Sequence, residues 1–524
     1  MNLLKSTGII GGMTLISRIF GFARDMMLSR LLGASAVGDA WQLAFQLPNI
    51  FRRLFAEGAF SAAFVPLFNR KAAEDGEDSN QAAQRFSNEV LSVFIPILLI
   101  FSALMIAVMP WVIWLIDDFG AGGRTNSTSI TLARVTFPYL GLISVMTLFA
   151  AILNSISKFA AAALAPVLLN ISMITAMLVA IFIDGGTDPS RTATLLAWSV
   201  SLGGVVQLLW LWFWVRKAGF HLRLQRPRFT PDVRELGVLI LPAVFGAGIY
   251  QISRFIDLFF LGRLEEGSFV FLALADRLNQ LPLGIIGIAL GTAILPALSR
   301  FVAQDDADGA QRVQSNAIEL GLLLTVPAAV GLFCAAQPLV SAFYFGGKFG
   351  MDDVVNTASV VAMLVVGLPA YVLLKVLTPG FFARRDTKTP VYTTGIALVI
   401  NITLNLILIP IMGVAGLALA GALAAWANCA MLYIILHRRG QFTIEPDLFV
   451  RIGRILLSAA AMGAVIWYLA PFGEAYYSAG VLARVSSILA LVGAGAIVYF
   501  SLAWVTGAID RSKIAMLTRK QTAN

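Results

Sequence analysis

The sequence contains few charged residues for its length. Only 13% of its 524 residues are charged, whereas soluble domains carry about 25%. This shortage, together with 58% hydrophobic residues, excludes a soluble globular protein, a disordered chain and a coiled coil. The sequence therefore predicts a protein whose solvent is a lipid bilayer.

Cysteine and histidine are also scarce, with two residues of each. Cys334 and Cys429 lie alone in apolar segments without a CxxC spacing, so neither a disulfide framework nor a zinc site is expected. His221 and His437 lie among arginines in polar segments, which argues against a histidine metal site or proton relay. No GxxxxGK[ST] motif is present, so transport driven by ATP is not expected.

Fourteen apolar runs are long enough to cross the hydrocarbon core, which needs about 20 helical residues. We expect an all-α polytopic membrane protein with fourteen transmembrane helices. The predicted spans are 7–32, 36–68, 86–116, 127–156, 160–183, 192–215, 235–262, 268–299, 313–343, 354–382, 389–411, 414–436, 449–470 and 481–507.

Lysine and arginine alternate between the predicted loops in a way that fixes orientation. One set of loops and tails carries 24 basic residues, and the other set carries 5. Basic loops remain in the cytoplasm, so both termini are predicted to be cytoplasmic. The net charge of +9 therefore reflects membrane topology and contact with anionic lipid, and we expect no nucleic-acid partner.

Short motifs recur in the two halves of the chain at offsets of 230 to 236 residues. The pairs are Ile16-Ser17-Arg18 with Ile252-Ser253-Arg254, Val65-Pro66 with Leu295-Pro296, Phe137-Pro138 with Leu368-Pro369, and Asn170-Ile171-Ser172 with Asn401-Ile402-Thr403. Six spans separate the copies, so the halves have the same orientation. The repeat predicts two parallel six-helix lobes around a central cavity, plus two C-terminal helices.

This organisation predicts four regions. They are an N-terminal lobe at 1–216, a basic cytoplasmic linker at 217–234, a C-terminal lobe at 235–437, and a final segment at 438–524 with helices 13 and 14 and a basic tail.

Charged residues inside three spans are the candidate functional residues, because a charge at the bilayer centre costs about 2.5–3.5 kcal/mol on insertion scales. Arg24, Arg52 and Arg277 have no carboxylate three or four residues away, and the adjacent acids are expected to point elsewhere on the helix. Together with Arg18 they are predicted to bind a diphosphate, since guanidinium forks match phosphate oxygens. The predicted supporting residues of the cavity are Asp25, Asp39, Arg53, Glu57, Asp276 and Gln280.

Structural explanations compete with this interpretation at several positions. Arg53 and Glu57 lie four residues apart and are equally well explained as a mutual ion pair. Snorkelling to a headgroup is the alternative for Arg24 and Arg30. In the second lobe, Asp257, Asn401 and Asn405 offer oxygens for a monovalent cation, although hydrogen bonding between helices is the favoured explanation of the asparagines.

The stretch from residue 13 to residue 70 resembles a known family. Ser17 to Asp25, Gly38-Asp39-Ala40 and Leu47 to Ser61, with its RRLFAEGAFS string, are similar to the MurJ (MviN) lipid II flippase family of the multidrug/oligosaccharidyl-lipid/polysaccharide exporter superfamily. The similarity continues at Ala275-Asp276-Arg277, Gly287 to Pro296, Gly346-Gly347-Lys348-Phe349 and Ala383 to Pro390.

The resemblance implies a transporter, not an enzyme, that flips lipid II from the inner to the outer leaflet of the bacterial inner membrane by alternating access. It implies that Arg18, Arg24, Asp39, Arg52 and Arg277 line the cavity, and that the last two helices form a groove for the polyprenyl tail. A sodium site of some members corresponds to Asp257, Asn401 and Asn405. The resemblance therefore suggests Na⁺ as a coupling ion, and the membrane potential as a further driving force. Gln280 stands where some members have an acid. The implied partners are lipid II, the bilayer and the peptidoglycan-synthesis machinery.

Four other functions remain to be distinguished. A flippase for O-antigen or another polyprenyl-diphosphate sugar would share the arginines. A cation-coupled exporter of the same fold would carry acids in the first lobe. A membrane enzyme would need a carboxylate pair or a histidine, and Asp117-Asp118 and Asp352-Asp353 lack a neighbouring histidine or serine. A non-transporting scaffold would not need so many buried charges.

Overall fold

The computed structural model describes residues 3–55, 59–74, 79–118, 126–472 and 481–509. These residues form helices, with one isolated antiparallel bridge between Gly346 and Phe349 in the described part. The all-α class predicted from the apolar runs is confirmed.

Eighteen α-helices are described. The first nine are α1 (Leu3–Leu32), α2 (Ala36–Phe55), α3 (Ala59–Glu74), α4 (Ser79–Ile113), α5 (Asn126–Thr136), α6 (Tyr139–Ser155), α7 (Phe159–Asp184), α8 (Pro189–Lys217) and α9 (Pro231–Leu261). The others are α10 (Ser268–Ala303), α11 (Ala307–Cys334), α12 (Ala336–Tyr344), α13 (Met351–Val365), α14 (Leu368–Phe382), α15 (Lys388–Met412), α16 (Val414–Arg438), α17 (Pro446–Leu469) and α18 (Val481–Val505). A π-helical turn, Trp114–Asp118, continues α4.

Eleven helical segments in the described ranges are long and apolar enough to cross a membrane. They coincide with eleven of the fourteen predicted spans. The other three predicted spans, 7–32, 36–68 and 235–262, correspond to α1, to α2 with α3, and to α9. The polytopic organisation is therefore confirmed, and the described helices are compatible with fourteen spans.

The helix breaks repeat in the two halves of the chain. The fourth predicted span divides into α5 and α6 just before Pro138, and the tenth divides into α13 and α14 just before Pro369. Proline lacks the N–H of a continuous helix and disfavours helical geometry in the residue before it. The turns that follow also match, because Ser157 has φ 60° and Arg385 has φ 61°. This shared backbone pattern supports the internal duplication.

The chain divides into two compact units. Unit 1 comprises Met1–Val270 with Gly346–Phe349, and unit 2 comprises Phe271–Phe345 with Gly350–Asn524. Unit 1 has a core of stacked aromatic rings in which Phe64 lies 5.5 Å from Phe60 and 5.3 Å from Phe86, centroid to centroid. The division into lobes at 217–234 stays a prediction about the repeat, whereas the compact units separate after Val270.

Helix α9 belongs to unit 1 because it packs on α2 and α3. The ring of Phe255 meets that of Phe51 edge-on at 5.6 Å. Near the start of α9, Glu235 pairs with Arg70 at 2.6 Å and Asp232 pairs with Lys71 at 3.1 Å. These contacts fix the beginning of the seventh predicted span to the helix that ends the second.

In unit 2 the two C-terminal helices are attached to α11. Arg451 of α17 donates to the buried Glu319 of α11 at 3.0 Å. Tyr499 of α18 donates its hydroxyl to the carbonyl of Leu323 at 2.7 Å. A methyl group on Gly463 would lie 2.6 Å from the side chain of Val330, so the glycine permits this close helix contact.

Candidate functional site

The best-defined charged group of unit 1 surrounds Arg24 on α1. Its Nε and Nη2 donate to Oδ1 of Asp25 at 2.9 and 2.6 Å. Its Nη1 donates to Oδ1 of Asn170 on α7 at 3.0 Å, and its guanidinium lies 5.5 Å from the ring of Phe45 on α2. The Arg24 and Asp25 side chains are only 8% and 10% exposed, so the cation is held by an acid, an amide and a ring.

The prediction that Asp25 points away from Arg24 is therefore wrong. Neighbouring Cα–Cβ bonds diverge by about 100° on a helix, but the long arginine side chain bends back to reach the acid. Arg18 itself is half-buried, and no hydrogen bond or ion pair joins it to a residue in the described ranges.

Asn170 connects α7 to α1 in both directions. Its oxygen accepts from Arg24, while its Nδ2 donates to the carbonyl of Ser17 at 3.2 Å. A methyl group on Gly21 would lie 3.6 Å from this Nδ2, so the small residue leaves the amide room beside α1. Sequence reasoning singled out Asn170 only as part of a repeat and missed its role as the partner of a buried arginine.

Asp39 is buried near the start of α2, where it binds backbone. Its Oδ2 accepts from the N–H of Gly267 at 2.7 Å, and its Oδ1 accepts from the N–H of Val270 at 3.1 Å. A carboxylate at this position satisfies unpaired donors of the first turn of α10 and complements the positive end of the helix dipole. A methyl group on Gly38 would lie 2.5 Å from the carbonyl oxygen of Gly33, so this close approach requires glycine.

The remaining predicted residues of unit 1 fall into two groups. Arg52 on α2 and Asp257 on α9 are half-buried, and both take part in interactions with their surroundings. Glu57 lies outside the described residues, and the description does not extend to the side chain of Arg53. The predicted ion pair between Arg53 and Glu57 therefore stays a prediction.

Three predicted site residues of unit 2, Asp276, Arg277 and Gln280, lie in α10. Gln280 is exposed and donates its amide to Oδ2 of the half-buried Asp276. Arg277 is half-buried on the same helix. Gln280 thus orients the acid one turn before it. A cavity shared by these residues and the arginines of unit 1 stays a prediction.

The asparagines proposed for a cation site lie within α15 in unit 2. Both are buried, and Nδ2 of Asn405 donates to Oδ1 of Asn401 at 3.2 Å. Oδ1 of Asn405 has no hydrogen-bond partner, so α15 offers one available amide oxygen. In the described ranges no cluster of three His, Cys, Asp or Glu side chains could hold a metal ion. Sodium binding stays a prediction. The hydrogen bond between the two amides lies within α15 and not, as was expected for the asparagines, between helices.

Lys375 on α14 is a candidate that sequence reasoning missed. It is exposed within the apolar segment Met351–Phe382. Its aliphatic stem lies over a glycine surface of α10, because a methyl group on Gly287 would come within 3.1 Å of Cδ of Lys375, and one on Gly291 within 3.8 Å of its Cβ. The available signal was a lone lysine in a span of otherwise apolar residues, which marks a functional position in membrane proteins.

The sequence comparisons agree with the motifs in α1 and α2. The profile of the family described as "Lipid II flippase MurJ" matches residues 28–487. A protein of Rhizobium tropici described as "Probable lipid II flippase MurJ" is 40% identical, and the alignment covers 100% of this chain and 98% of that protein. The chain belongs to the MurJ family. A "Lipid II flippase MurJ" of Burkholderia cenocepacia is also 33% identical over 97% of this chain and 98% of its own length.

Solved structures show that the fold is that of MurJ proteins. A structure described as "Lipid II flippase MurJ, inward closed conformation" superposes with a TM-score of 0.76, covering 95% of this chain and 98% of that one at 24% identity. An inward-facing multidrug transporter of the MOP superfamily matches with a TM-score of 0.64 at 16% identity, covering 82% and 97% of the two chains. Membership of the MurJ family confirms a membrane transporter rather than an enzyme. The roles of individual residues stay predictions.

Proposed function

We propose that this protein carries lipid II, the polyprenyl-diphosphate precursor of peptidoglycan, from the inner to the outer leaflet of the bacterial cytoplasmic membrane. The observation that carries this proposal is similarity to MurJ proteins along nearly the entire chain. The chemistry of the site agrees with it, because arginines rather than acids are concentrated in the first two helices. A diphosphate headgroup requires such donors, and a cationic drug would be repelled by them.

Three of the four predicted arginines are candidates for direct contact with the headgroup. Arg18 and Arg52 in unit 1 and Arg277 in unit 2 are all half-buried. Each guanidinium stays ionised and offers a planar set of donors that fits two phosphate oxygens. Within unit 1, Arg18 and Arg52 would be the first contacts of the diphosphate, and contact with Arg277 of unit 2 stays a prediction.

Arg24 would bind the substrate by exchanging partners. In the described conformation its guanidinium is nearly covered by Asp25 and Asn170. A phosphate that displaced Asp25 would replace one anion by another, so the guanidinium would never be left without a counter-charge. This exchange would free the Asp25 carboxylate, while Arg24 keeps its hydrogen bond to Asn170 of α7.

The membrane potential supplies enough free energy for export. Moving one elementary charge across 100 mV is worth about 2.3 kcal/mol, so a headgroup with about two negative charges gains about 4–5 kcal/mol in an inside-negative membrane. The same field draws the emptied, positive site back inward. Alternating access driven by potential therefore needs no sodium, and Na⁺ binding at Asp257, Asn401 and Asn405 would be an additional driving force.

The orientation predicted from the basic loops places the protein in the pathway of peptidoglycan synthesis. Both termini lie in the cytoplasm, where the basic loops remain, and the outward-facing state delivers lipid II to the peptidoglycan-synthesis machinery. The polyprenyl tail stays in lipid beside α17 and α18 while the headgroup crosses.

A leaflet-exposure assay tests the proposal. The purified full-length protein is placed in vesicles with an inside-negative potential and lipid II in one leaflet, and a membrane-impermeant enzyme reports the lipid II that reaches the other. Arg52→Ala and Arg277→Ala are expected to abolish transfer, whereas Arg312→Ala, an exposed arginine on α11, should leave it unchanged. Normal transfer in both cavity variants would contradict the arginine site. Equal transfer of a polyprenyl-diphosphate O-antigen unit would contradict specificity for lipid II.

A further inference from the structure

The segment between α8 and α9 is an extended chain with a strongly basic surface. We call residues 219–230 the basic strap. It carries Arg223, Arg226 and Arg228, all of them exposed. Nothing in the proposed transport cycle uses these charges. In a loop of a membrane protein such residues ordinarily serve only to set topology, and then they need no fixed structure.

The basic strap nevertheless has a fixed backbone, because α4 binds it at every second residue. The amide of Gln84 pairs with both the N–H and the carbonyl of His221, at 3.3 and 2.9 Å. The N–H of Arg223 donates to Oδ1 of Asn88 at 2.8 Å, and the N–H of Gln225 donates to Oγ of Ser92 at 2.8 Å.

The three α4 residues lie on one helix face, since they are spaced four apart. Asn88 and Ser92 are buried beneath the strap, so detaching the strap would remove the partners of two buried polar groups. The far end of the strap is also fixed, because Thr230 donates to Glu89 at 2.7 Å and its hydroxyl accepts from the N–H of Val233 at the start of α9. The arginines therefore project from a rigid support.

The residues at the end of α8 indicate that the strap lies at the membrane surface. Helix α8 is one of the spanning segments, and its last two turns contain Trp212 and Phe213, which are 40% and 53% exposed. Arg216 lies over the ring of Trp212 at 4.8 Å, and Lys217 over that of Trp214 at 5.0 Å. Tryptophan beside arginine or lysine at a helix end is typical of the interface between lipid and water.

The length of α4 also places the strap outside the hydrocarbon core. Its apolar segment Gln81–Ile116 has 36 residues, which is roughly 54 Å of helix. The hydrocarbon core is about 30 Å thick, so several turns of α4 extend beyond it. The turns that bind the strap, from Gln84 to Ser92, are near the N-terminal end of this segment.

The surface of the strap combines cations with exposed apolar side chains. Leu224 is 66% exposed and Phe229 is 78% exposed. Three acids near the strap are bonded within unit 1, because Glu89 accepts from Thr230, while Asp232 and Glu235 pair with Lys71 and Arg70. The arginines of the strap form no ion pair with residues in the described ranges. Their charge is therefore available to a ligand, and the apolar side chains beside them suit a lipid surface.

We propose that the basic strap binds the phosphate headgroups of anionic phospholipids at the membrane surface. Arg223, Arg226 and Arg228 contact the headgroups, and Leu224 and Phe229 insert among the upper parts of the acyl chains. Because the backbone is already ordered by α4, little conformational entropy is lost on binding. The bound lipid would hold unit 1 at a fixed depth in the bilayer, whichever substrate the protein transports.

A titration of the full-length protein in neutral detergent tests the proposal. Short-chain phosphatidylglycerol, short-chain phosphatidylcholine and inorganic phosphate are each added, and binding is followed by native mass spectrometry and by thermal stability. We expect binding of phosphatidylglycerol only, weakening as salt is raised. Equal binding of phosphatidylcholine would overturn the proposal, and so would equal binding of inorganic phosphate, which would indicate a general anion site.

Two matched variants locate the site. The triple variant R223Q/R226Q/R228Q is expected to weaken phosphatidylglycerol binding by roughly 10- to 100-fold. The control R300Q/R312Q/R438Q removes three other exposed arginines, all in unit 2, and should change binding by less than about threefold. Equal losses in the two variants would show that net charge, not the strap, attracts the lipid.

Two further variants keep the test independent of folding. R223K/R226K/R228K keeps the charge and should bind within about threefold of the parent protein. N88A/S92A leaves every arginine in place but removes the supports of the strap, and it should weaken binding because the cations are no longer ordered. Full binding by N88A/S92A would contradict the fixed support, and lost binding in the lysine variant would contradict attraction by charge.

Discussion

Asn170 in α7 and Asn401 in α15 occupy equivalent places in the two copies of the repeat, yet they bind different groups. Asn170 accepts from the buried guanidinium of Arg24 and donates to the carbonyl of Ser17 in α1. Among the described residues, Asn401 accepts only from the amide of Asn405, four residues later on its own helix. In unit 1 the asparagine links two helices and supports a charge, and in unit 2 it forms a neutral pair.

This difference shows how a duplicated fold can acquire an asymmetric site. The backbone turns and helix breaks match in the two copies, so the scaffold is shared. The charge is not shared, because no cation in the described part of unit 2 bonds to Asn401. A buried arginine needs an acid and further acceptors, and unit 1 supplies them as Asp25 and Asn170.

The largest expected effect comes from removing the acid beside the buried arginine. Asp25→Asn should lower the free energy of unfolding by about 3–5 kcal/mol, because it leaves Arg24 as a buried charge without its anion. Asp276→Asn on α10 serves as the control in unit 2 and should cost about 1 kcal/mol, since its carboxylate binds only the exposed amide of Gln280 among the described hydrogen bonds. Thermal and denaturant unfolding of the full chain measures both. Equal losses would refute the special position of the Arg24 pair.

A double variant separates stability from transport at the same place. R24M/D25L replaces the buried pair by apolar residues, and such replacements are often neutral or stabilising. We expect it to regain most of the stability lost in Asp25→Asn and to remain inactive in the leaflet assay. Normal export by this variant would show that the Arg24 guanidinium does not bind substrate.

Removing the asparagine should also destabilise unit 1 more than unit 2, but the difference in the free energy of unfolding should be smaller than for the two acids. Asn170→Ala removes an acceptor from a charged donor and should cost about 1.5–3 kcal/mol. Asn401→Ala removes a hydrogen bond between amides inside a membrane helix and should cost about 0.6 kcal/mol. Parallel unfolding measurements on the two variants decide between them, and a cost for Asn401→Ala equal to that for Asn170→Ala would contradict the asymmetry of the repeat.

Lys375 extends the comparison to transport. Its counterpart in the first copy is Ser144, which is buried and bonds to the carbonyl of Leu140, whereas Lys375 is exposed. Lys375→Gln should slow lipid II export by about tenfold, as expected for one charge-assisted hydrogen bond of about 1.4 kcal/mol. Lys375→Arg should retain most of the rate. An unchanged rate in Lys375→Gln, with normal folding, would remove this lysine from the site.

The smallest effect is expected at the turn after α14. Arg439 and Thr389 hold the pKa of the Asp386 carboxyl well below its usual range. Because the folded-state pKa is lowered, the stabilisation is fully present above the unfolded pKa of about 3.9 and is lost as pH falls through the folded value. Asp386→Asn should therefore cost at most about 1 kcal/mol at pH 7, because this pair is largely exposed. The difference from the parent protein should shrink below pH 4, and a constant difference from pH 7 to pH 3 would contradict this account.

Much of the fold could be predicted from local signals. The positions of helix breaks follow from Pro138 and Pro369, and the spans follow from runs of apolar residues. The candidate site was harder to predict. Arg24 was identified as a charge inside a predicted span, but its partner Asn170 lies 146 residues away, and helix geometry alone placed Asp25 on the wrong side. Lys375 was missed because one lysine does not interrupt a span of that length.

The sequence by itself determined that this chain is a duplicated, all-helical membrane transporter. Transfer of apolar residues into lipid is nearly additive along the chain, so composition and spacing are sufficient to identify the spans. The tertiary structure alone decided which charges are paired and which are accessible, and that the basic strap is fixed to α4. Electrostatic and hydrogen-bond energies depend on distances between groups far apart in sequence, and those distances are set only when the helices pack.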